Sequence, residues 1–329
     1  MASSLVILFL SLVCLALSFY KRRTPRPKRK EFSFLQYHEP SKPNPPSNDD
    51  KETPSVSVKQ DASWSYCGPS LTSTDLPTSF QEFADATFAG PVPPSFYSFV
   101  DFVKPFLAEH GLSNYLLTVR ATTPTTEYDR PRWHTDEFFF SGLNGGGGLP
   151  GTKLGAKATY KYGGANVAEK AGPDGTSWKI CTALLGPQTL FIPLEHQASA
   201  RDLQRQARQA ASTEHECVSI RCVGCASAAE TVRDQLAHGL SRYGVQVAAP
   251  GQCVFFQVGR DTGAVHSEPR MSGLGEDGEV DSRGRIFINV VPGTDDELRG
   301  MMDKWGMEFP RQWWIGSNVV RKPVKKAAA

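Results

Sequence analysis

The sequence lacks the features that mark several common protein classes. Cysteine is scarce and odd in number, with 7 among 329 residues, which excludes a dense disulfide framework and favours a reducing compartment. The 36 basic and 34 acidic residues leave a net charge of only +2, so there is no overall nucleic-acid signature. Walker A and G-x-S-x-G sequences are absent, and no G-x-G-x-x-G opens a helix after a strand. Nothing therefore points to a P-loop, a hydrolase nucleophile or a dinucleotide site.

One long uncharged apolar run is present, at the N-terminus. Residues 5–20 carry no charge, and seven of the ten residues Lys21–Lys30 are basic. The run is close to the length of about 17–25 residues that a tilted spanning helix needs. Its basic flank follows rather than precedes it, which is the reverse of a cleaved signal. We therefore expect residues 1–22 to form a single-pass membrane anchor with the globular domain facing the cytoplasm. A cleaved signal or an organelle import sequence is the alternative.

The composition changes twice after this run. Residues 23–75 are rich in Pro, Lys, Ser and Asp, which predicts a disordered tether whose basic start lies against anionic lipid. Residues 317–329 form a basic tail. Between them, residues 76–316 have the size of one domain with insertions at 141–177, which is glycine-rich, and at 198–245, which is helical.

The domain is predicted to be α+β. Apolar residues recur at helical spacing around Phe96 to Leu107, and Thr294 with Glu297 forms a capping-box sequence ahead of another helix. Short apolar segments bounded by Gly, Pro or Asp predict strands over 115–123, 132–140, 178–186, 189–194, 245–249, 253–259 and 285–291. Helices before and after such a set of strands favour an antiparallel sandwich or barrel braced by helices.

Two histidines and an aspartate are the candidate metal ligands. His134 and Asp136 are two residues apart in a predicted strand, so their side chains share a face and can reach one ion. His266 supplies a third ligand if its strand lies beside the first. Two imidazoles and one carboxylate leave open positions that suit Fe(II) with a cosubstrate and dioxygen. The alternative is a β-sandwich in which His134 and Asp136 form an ordinary hydrogen-bonded pair and His266 lies on a surface loop.

The order of these segments resembles the Fe(II)/2-oxoglutarate-dependent oxygenase superfamily. The similarity covers about Tyr115 to Pro292: a strand ending in H-x-D, a Pro-Gly turn, a distal His and a basic residue on the last core strand. It is nearest to a poorly characterised branch in which a segment like LLGPQT follows the first metal strand. The resemblance implies a double-stranded β-helix, or jelly-roll, with His134, Asp136 and His266 as iron ligands.

The resemblance also implies a cosubstrate site. Arg285 matches the residue that pairs with the far carboxylate of 2-oxoglutarate, a role suited to a planar guanidinium. Arg285 follows His266 by 19 residues, which is longer than usual, so Arg283 is a competing candidate. Lys179 and Thr182, on the strand after the glycine-rich insertion, are expected to line the same cavity.

Two further clusters have alternative explanations. His215, Cys217, Cys222 and Cys225 could hold zinc, form a redox pair or pack structurally. Arg120, Arg130 and Arg132 flank the expected entrance, where they would attract an anionic substrate or pair with Glu127 and Asp129.

The sequence thus predicts a membrane-anchored oxygenase with Fe(II) as cofactor and 2-oxoglutarate as cosubstrate, which hydroxylates or demethylates an unidentified substrate. Two alternatives remain open. One is a non-catalytic β-helix module that binds proteins while tethered to a membrane. The other is a cupin-like metal enzyme that does not use 2-oxoglutarate, and the position of Arg285 relative to the metal ligands separates the two enzymes.

Overall fold

The computed structural model describes residues 30–39, 56–140, 177–211, 222–271 and 283–316. Apart from Lys30, all of them belong to one compact unit, Glu31–Ala329. The predicted anchor and basic tail lie outside the described residues, as does nearly all of the glycine-rich insertion. Within the described ranges, no helix is long and apolar enough to span a bilayer.

A seven-stranded antiparallel sheet dominates the described fold, which is mixed α+β. Its strands are β1 (Phe32–Gln36), β3 (Ala62–Pro69), β5 (Asn114–Thr122), β6 (Trp178–Leu185), β8 (Gln252–Gln257), β10 (Arg285–Gly293) and β11 (Arg311–Gly316). They lie in the order β1-β8-β6-β10-β5-β3-β11. A separate pair, β2 (Ser57–Val58) with β4 (Phe88–Ala89), lies outside this sheet.

The tether prediction for residues 23–75 is wrong over two segments. β1 pairs with β8, and β3 pairs with β5, so both are part of the main sheet. Each segment carries large apolar side chains, and Phe32 and Trp64 are almost fully buried. The apolar surface that these side chains bury favours their ordering. Averaging the composition over a Pro-rich stretch hid these short apolar segments.

Two helices cover one face of the sheet. They are α1 (Thr78–Thr87) and α2 (Pro94–Glu109), and α2 confirms the helix predicted around Phe96 to Leu107. Their buried phenylalanines, such as Phe80 and Phe96, pack with Trp64, Val119 and Ile288 of the strands. Strand alternation sends the neighbouring side chains to the opposite face, where the site lies.

A short second ladder faces that site. β7 (Leu190–Phe191) pairs with β9 (His266–Ser267), and single bridges extend the ladder from His134 to His266 and from Phe191 to Gln246. The strand predicted over 132–140 is therefore wrong except at His134, because the residues that follow turn away and Phe139 and Phe140 pack beside the last helix.

Three more helices complete the described fold. α3 (Gln197–Ala210) and α4 (Val223–Leu240) pack against the short ladder through residues including Ile192, Val265 and Leu236. Short 3-10 turns, Leu194–His196 and Ser241–Tyr243, precede α3 and follow α4. α5 (Asp295–Lys304) begins at Thr294 with both capping-box hydrogen bonds in place, as predicted.

Candidate metal centre

The three predicted ligands converge on one point. The antiparallel bridge between His134 and His266 places the two side chains on the same face, with ring centroids 4.3 Å apart. The Nε2 atoms of His134 and His266 lie 3.8 Å from Oδ1 and Oδ2 of Asp136, respectively. One ligand atom from each residue lies within 4.8 Å of the others. This is the spacing expected of side chains that share an ion.

Backbone carbonyls fix the tautomer of both imidazoles. Nδ1 of His134 lies 2.7 Å from the carbonyl oxygen of Arg132, and Nδ1 of His266 lies 2.9 Å from that of Ala264. Since a carbonyl oxygen only accepts, each Nδ1 carries the proton, and each neutral ring presents the lone pair of Nε2 toward Asp136. Metal-ligating histidines are commonly oriented by this kind of hydrogen bond.

Electrostatics keep the ligands in their metal-binding forms. Burial alone would raise the pKa of the Asp136 carboxyl. The positive charge of Lys179, together with the protonatable imidazoles of His266 and His134, outweighs burial and holds that pKa well below its usual range. Burial lowers the pKa of His266, and so does the adjacent His134 imidazole, because two neighbouring rings disfavour a second positive charge, so His266 is in the neutral form. Lys179 Nζ donates to Asp136 Oδ2 at 2.8 Å, so the carboxylate is oriented as well as ionised.

The donor set fits a divalent transition metal. Two neutral imidazole nitrogens and one carboxylate oxygen suit Fe(II). Two ligands of one ion lie roughly 3–4 Å apart when each bond is about 2.1 Å, so the 3.8 Å separations between the Nε2 atoms and the Asp136 oxygens need little side-chain movement.

A cavity of about 160 Å³ opens beside the three ligands. Strands of the main sheet supply much of the cavity wall. Residues of the second ladder, and of the segments that adjoin that ladder, complete the wall. The lining residues are Arg120, His134, Asp136, Lys179, Cys181, Thr189, Phe256, His266, Glu268, Arg285, Phe287 and Asn289. The cavity therefore combines the predicted metal ligands with cationic side chains and two aromatic rings.

Arg285 is buried in this cavity wall, with only 4% of its surface exposed. Its Nε donates to the carbonyl oxygen of Pro187 at 2.9 Å and its Nη2 to Thr189 Oγ1 at 3.1 Å, and its guanidinium lies 4.5 Å from the centre of the Phe287 ring. Burial and the charge of Arg120 lower the pKa of Arg285 to about 10, so it stays cationic at neutral pH. Within the described ranges no carboxylate forms an ion pair with it.

A tight loop holds the partners of Arg285 in place. Gly186 has a φ of +77°, and a Cβ there would lie 2.6 Å from the carbonyl oxygen of Gly284, so the close approach requires glycine. The Gln188 side chain accepts from the backbone N–H of Ala183 at 2.9 Å and donates to its carbonyl at 2.7 Å. The loop is thereby pinned to β6 with Pro187 and Thr189 turned toward the guanidinium.

A second buried glutamine supports His266. Gln197, at the start of α3, donates through Nε2 to the carbonyl of Ile192 at 2.6 Å and accepts at Oε1 from the backbone N–H of Val265 at 2.7 Å. The Gln197 side chain therefore makes the hydrogen bonds that neighbouring backbone groups would make if the β7–β9 ladder were longer. The residue immediately before the metal ligand is thus hydrogen-bonded to a helix.

The other predicted site residues lie elsewhere. Thr182 is on β6 but faces away from the cavity, and its Oγ1 donates to the carbonyl of Gln252 at 2.9 Å. Strand alternation explains this, since Lys179 and Thr182 are three residues apart and cannot share a face. Arg283 is exposed before β10, which leaves Arg285 as the arginine that lines the cavity.

The cysteine-rich cluster is only partly described. His215 and Cys217 lie outside the described residues, whereas Cys222 and Cys225 lie at the start of α4. In the part of the chain that the structure describes, His134, Asp136 and His266 form the one group with metal-ligand spacing. The zinc hypothesis therefore stays a prediction.

Sequence reasoning missed several cavity residues. Glu268 is the most informative, because it follows His266 by two residues in an extended segment and alternation alone indicates a shared face. Burial would raise the pKa of Glu268, but the neighbouring His134 imidazole, a hydrogen bond from the Glu268 backbone N–H and the charge of Arg120 lower it. Cys181, also in the wall, has a pKa that burial raises to about 12, so its thiol is protonated.

Comparison with known proteins adds no assignment. Neither the protein-family models, nor the curated proteins, nor the solved structures that were compared match this chain. Any function must therefore be argued from the chemistry of the site itself.

Proposed function

We propose that this protein is a non-haem oxygenase that uses Fe(II), 2-oxoglutarate and dioxygen to hydroxylate or demethylate a substrate. The observation that carries the proposal is the convergence of His134, Asp136 and His266 beside a buried, cationic Arg285 in one cavity. A metal site alone would fit many enzymes. An unpaired guanidinium in the same cavity calls for an anionic ligand, because a buried charge is costly without a partner.

The strand pairing supports a double-stranded β-helix. In chain order the eight relevant segments are β5, the His134 bridge, β6, β7, the Gln246 bridge, β8, β9 and β10. The first pairs with the eighth, the second with the seventh, the third with the sixth and the fourth with the fifth. This nested pairing, split between two sheets, is the arrangement of a jelly-roll.

Each polar residue then has a role. His134, Asp136 and His266 would hold Fe(II), which when bound supplies the redox chemistry that couples oxidative decarboxylation of 2-oxoglutarate to oxidation of the substrate. Arg285 would bind the far carboxylate of 2-oxoglutarate through charge-assisted hydrogen bonds. Lys179 keeps Asp136 ionised and oriented, and the rings of Phe256 and Phe287 exclude water from the cavity wall.

We also propose that residues 1–22 anchor the protein in a membrane, with the oxygenase domain in the cytoplasm. The support is the basic segment Lys21–Lys30 that directly follows the apolar run. A cytoplasmic position agrees with the free thiols of Cys67, Cys181 and Cys253 in the core.

The test is turnover of the cosubstrate by the full-length chain in detergent. Fe(II)-loaded protein should convert 2-oxoglutarate to succinate in the presence of dioxygen, even without its substrate. The variant Arg285→Met should lose this turnover at low 2-oxoglutarate concentration, while Arg283→Met serves as the matched exposed control. Metal binding without any 2-oxoglutarate consumption would contradict the proposal and favour the cupin-like alternative.

A further inference from the structure

Arg120 is a cationic residue of the cavity wall to which the proposed function gives no role. It lies on β5 directly opposite Phe287 of β10 and lines the cavity. The other two arginines predicted near the entrance have partners: Arg130 pairs with Glu230 and Asp234, and Arg132 pairs with Glu127. Across the described residues Arg120 has no ion pair and no hydrogen bond from its side chain. Its guanidinium lies 5.9 Å from the centre of the Phe287 ring.

Glu268 is an acidic residue of the same cavity wall, and the proposed function gives it no role either. Its backbone is fixed, because Ser267 Oγ donates to the Glu268 carbonyl at 2.9 Å and itself accepts from the backbone N–H of Arg132 at 2.8 Å. The Glu268 carboxylate has no ion pair with any described cation. Arg120 and Glu268 are near enough to interact electrostatically, yet they do not close into an ion pair.

We propose that Arg120 and Glu268 together recognise the substrate, and that the substrate is a small zwitterion such as a free amino acid. Arginine binds a carboxylate through its planar fork, and a carboxylate such as Glu268 accepts from an ammonium group. The Glu268 carboxylate accepts a hydrogen bond from its own backbone N–H, so what it lacks among the described residues is a counter-ion. An anionic molecule would leave Glu268 without a counter-ion, and a cationic molecule would leave Arg120 without one. A molecule that carries both charges can pair with both side chains. Such pairing matters in a partly desolvated cavity, because charged groups that lose water there are costly without partners.

This inference rests on the proposed function. Arg285, which is held by Pro187 and Thr189, is reserved for the carboxylate of 2-oxoglutarate. Arg120 is then the second anion contact of the cavity. Arg120 lies on β5 opposite Phe287, two register positions along the β5–β10 ladder from Arg285, and in this proposal it binds the second molecule.

Calorimetric binding to the full-length chain tests the inference without turnover. The protein is loaded with Mn(II) and saturated with 2-oxoglutarate, and the twenty common amino acids are titrated one by one. Each amino acid that binds is compared with its amide, which lacks the carboxylate, and with its N-acetyl form, which lacks the ammonium. We expect at least one amino acid to bind, and both derivatives to bind at least tenfold more weakly.

The variants assign each preference to one side chain. Arg120→Gln should bind the amide as well as the free acid, and Glu268→Gln should bind the N-acetyl form as well as the free amine. Arg130→Gln, which removes a paired surface arginine, should change neither preference. Melting temperatures close to the wild-type value would establish that the variants fold, and Arg120→Lys and Glu268→Asp provide conservative replacements if they do not.

Three results would overturn the inference. The first is an absence of amino-acid binding by protein that binds Mn(II) and 2-oxoglutarate. The second is equal binding of an amino acid and either derivative by the wild-type protein. The third is a wild-type preference for the free acid in Arg120→Gln or for the free amine in Glu268→Gln. Protein that binds neither Mn(II) nor 2-oxoglutarate would instead contradict the proposed function, so the two failures are distinguishable.

Discussion

Replacing Arg285 by methionine separates ligand binding from folding. The side chain is 4% exposed and has two hydrogen bonds, to Pro187 and Thr189. Methionine keeps an unbranched apolar stem but removes the guanidinium, which lies 4.5 Å from the centre of the Phe287 ring, and with it the charge. The loss of two hydrogen bonds from a charged group costs about 1.5–3 kcal/mol each. Relief of the desolvated guanidinium recovers several kcal/mol, so the free energy of unfolding of the ligand-free chain should change by less than about 2 kcal/mol.

The effect of 2-oxoglutarate should be much larger. At a concentration of 100 times its Kd, a ligand stabilises the wild-type fold by about 2.7 kcal/mol, which corresponds to roughly 5–11 °C in Tm for a domain of this size. Removing one partner of a buried charge pair weakens binding by about 2–5 kcal/mol. The same concentration of 2-oxoglutarate should then stabilise Arg285→Met by less than about 1 kcal/mol.

Thermal melting of Mn(II)-loaded protein with and without 2-oxoglutarate measures both quantities. Arg283→Met is the control, because Arg283 is exposed two residues before Arg285, and it should keep the wild-type response. An undiminished Tm shift in Arg285→Met would refute a role in binding the cosubstrate. A loss of more than about 3 kcal/mol in the ligand-free variant would refute the reasoning on burial, since Arg285 would then be a structural anchor.

Three further predictions concern the supports of the site and the orientation of the chain. Gln197→Leu leaves the backbone N–H of Val265 without its partner, which should lower the free energy of unfolding by about 1–3 kcal/mol in urea and weaken Mn(II) binding; unchanged stability and affinity would contradict this support of His266. Gly186→Ala puts a Cβ 2.6 Å from the Gly284 carbonyl oxygen at a φ of +77°. It should therefore destabilise the fold by about 1–3 kcal/mol and raise the KM for 2-oxoglutarate. The control Gly111→Ala, with open space around the new Cβ, should leave that KM unchanged. Protease added to intact microsomes or mitochondria should digest the globular domain, and full protection would place the domain in a lumen.

Local patterns predicted the candidate ligands and several helices and strands. The two-residue spacing of His134 and Asp136 requires only an extended backbone for both to share a face. The capping box at Thr294 is likewise a short-range signal, and it starts a helix as predicted. Such features depend only on residues that are close together in the sequence, so they can be recognised without knowledge of the fold.

Local patterns do not predict which segments pair when they lie far apart in the sequence. The approach of His266 to Asp136, 130 residues earlier in the chain, depends on a bridge to His134 that no local signal specifies. The prediction that Thr182 lines the cavity is wrong because Thr182 is three strand residues from Lys179 and therefore faces the other side of the sheet. β1 was missed because the edge strand Phe32–Gln36 is stabilised mainly by pairing with β8, and propensity alone is a weak guide to such strands.

The most direct test of the central claim is an anaerobic titration of the full-length protein with Fe(II) and then with 2-oxoglutarate, followed by visible absorption. Chelation of Fe(II) by a 2-oxo acid gives a weak charge-transfer band that neither component gives alone. We expect one equivalent of Fe(II) to produce this band in the wild-type protein, and the His134→Ala and Asp136→Ala variants, checked by their melting curves to be folded, to lack it. A wild-type protein without the band at saturating Fe(II) and 2-oxoglutarate, or a His134→Ala variant that retains it, would contradict the account.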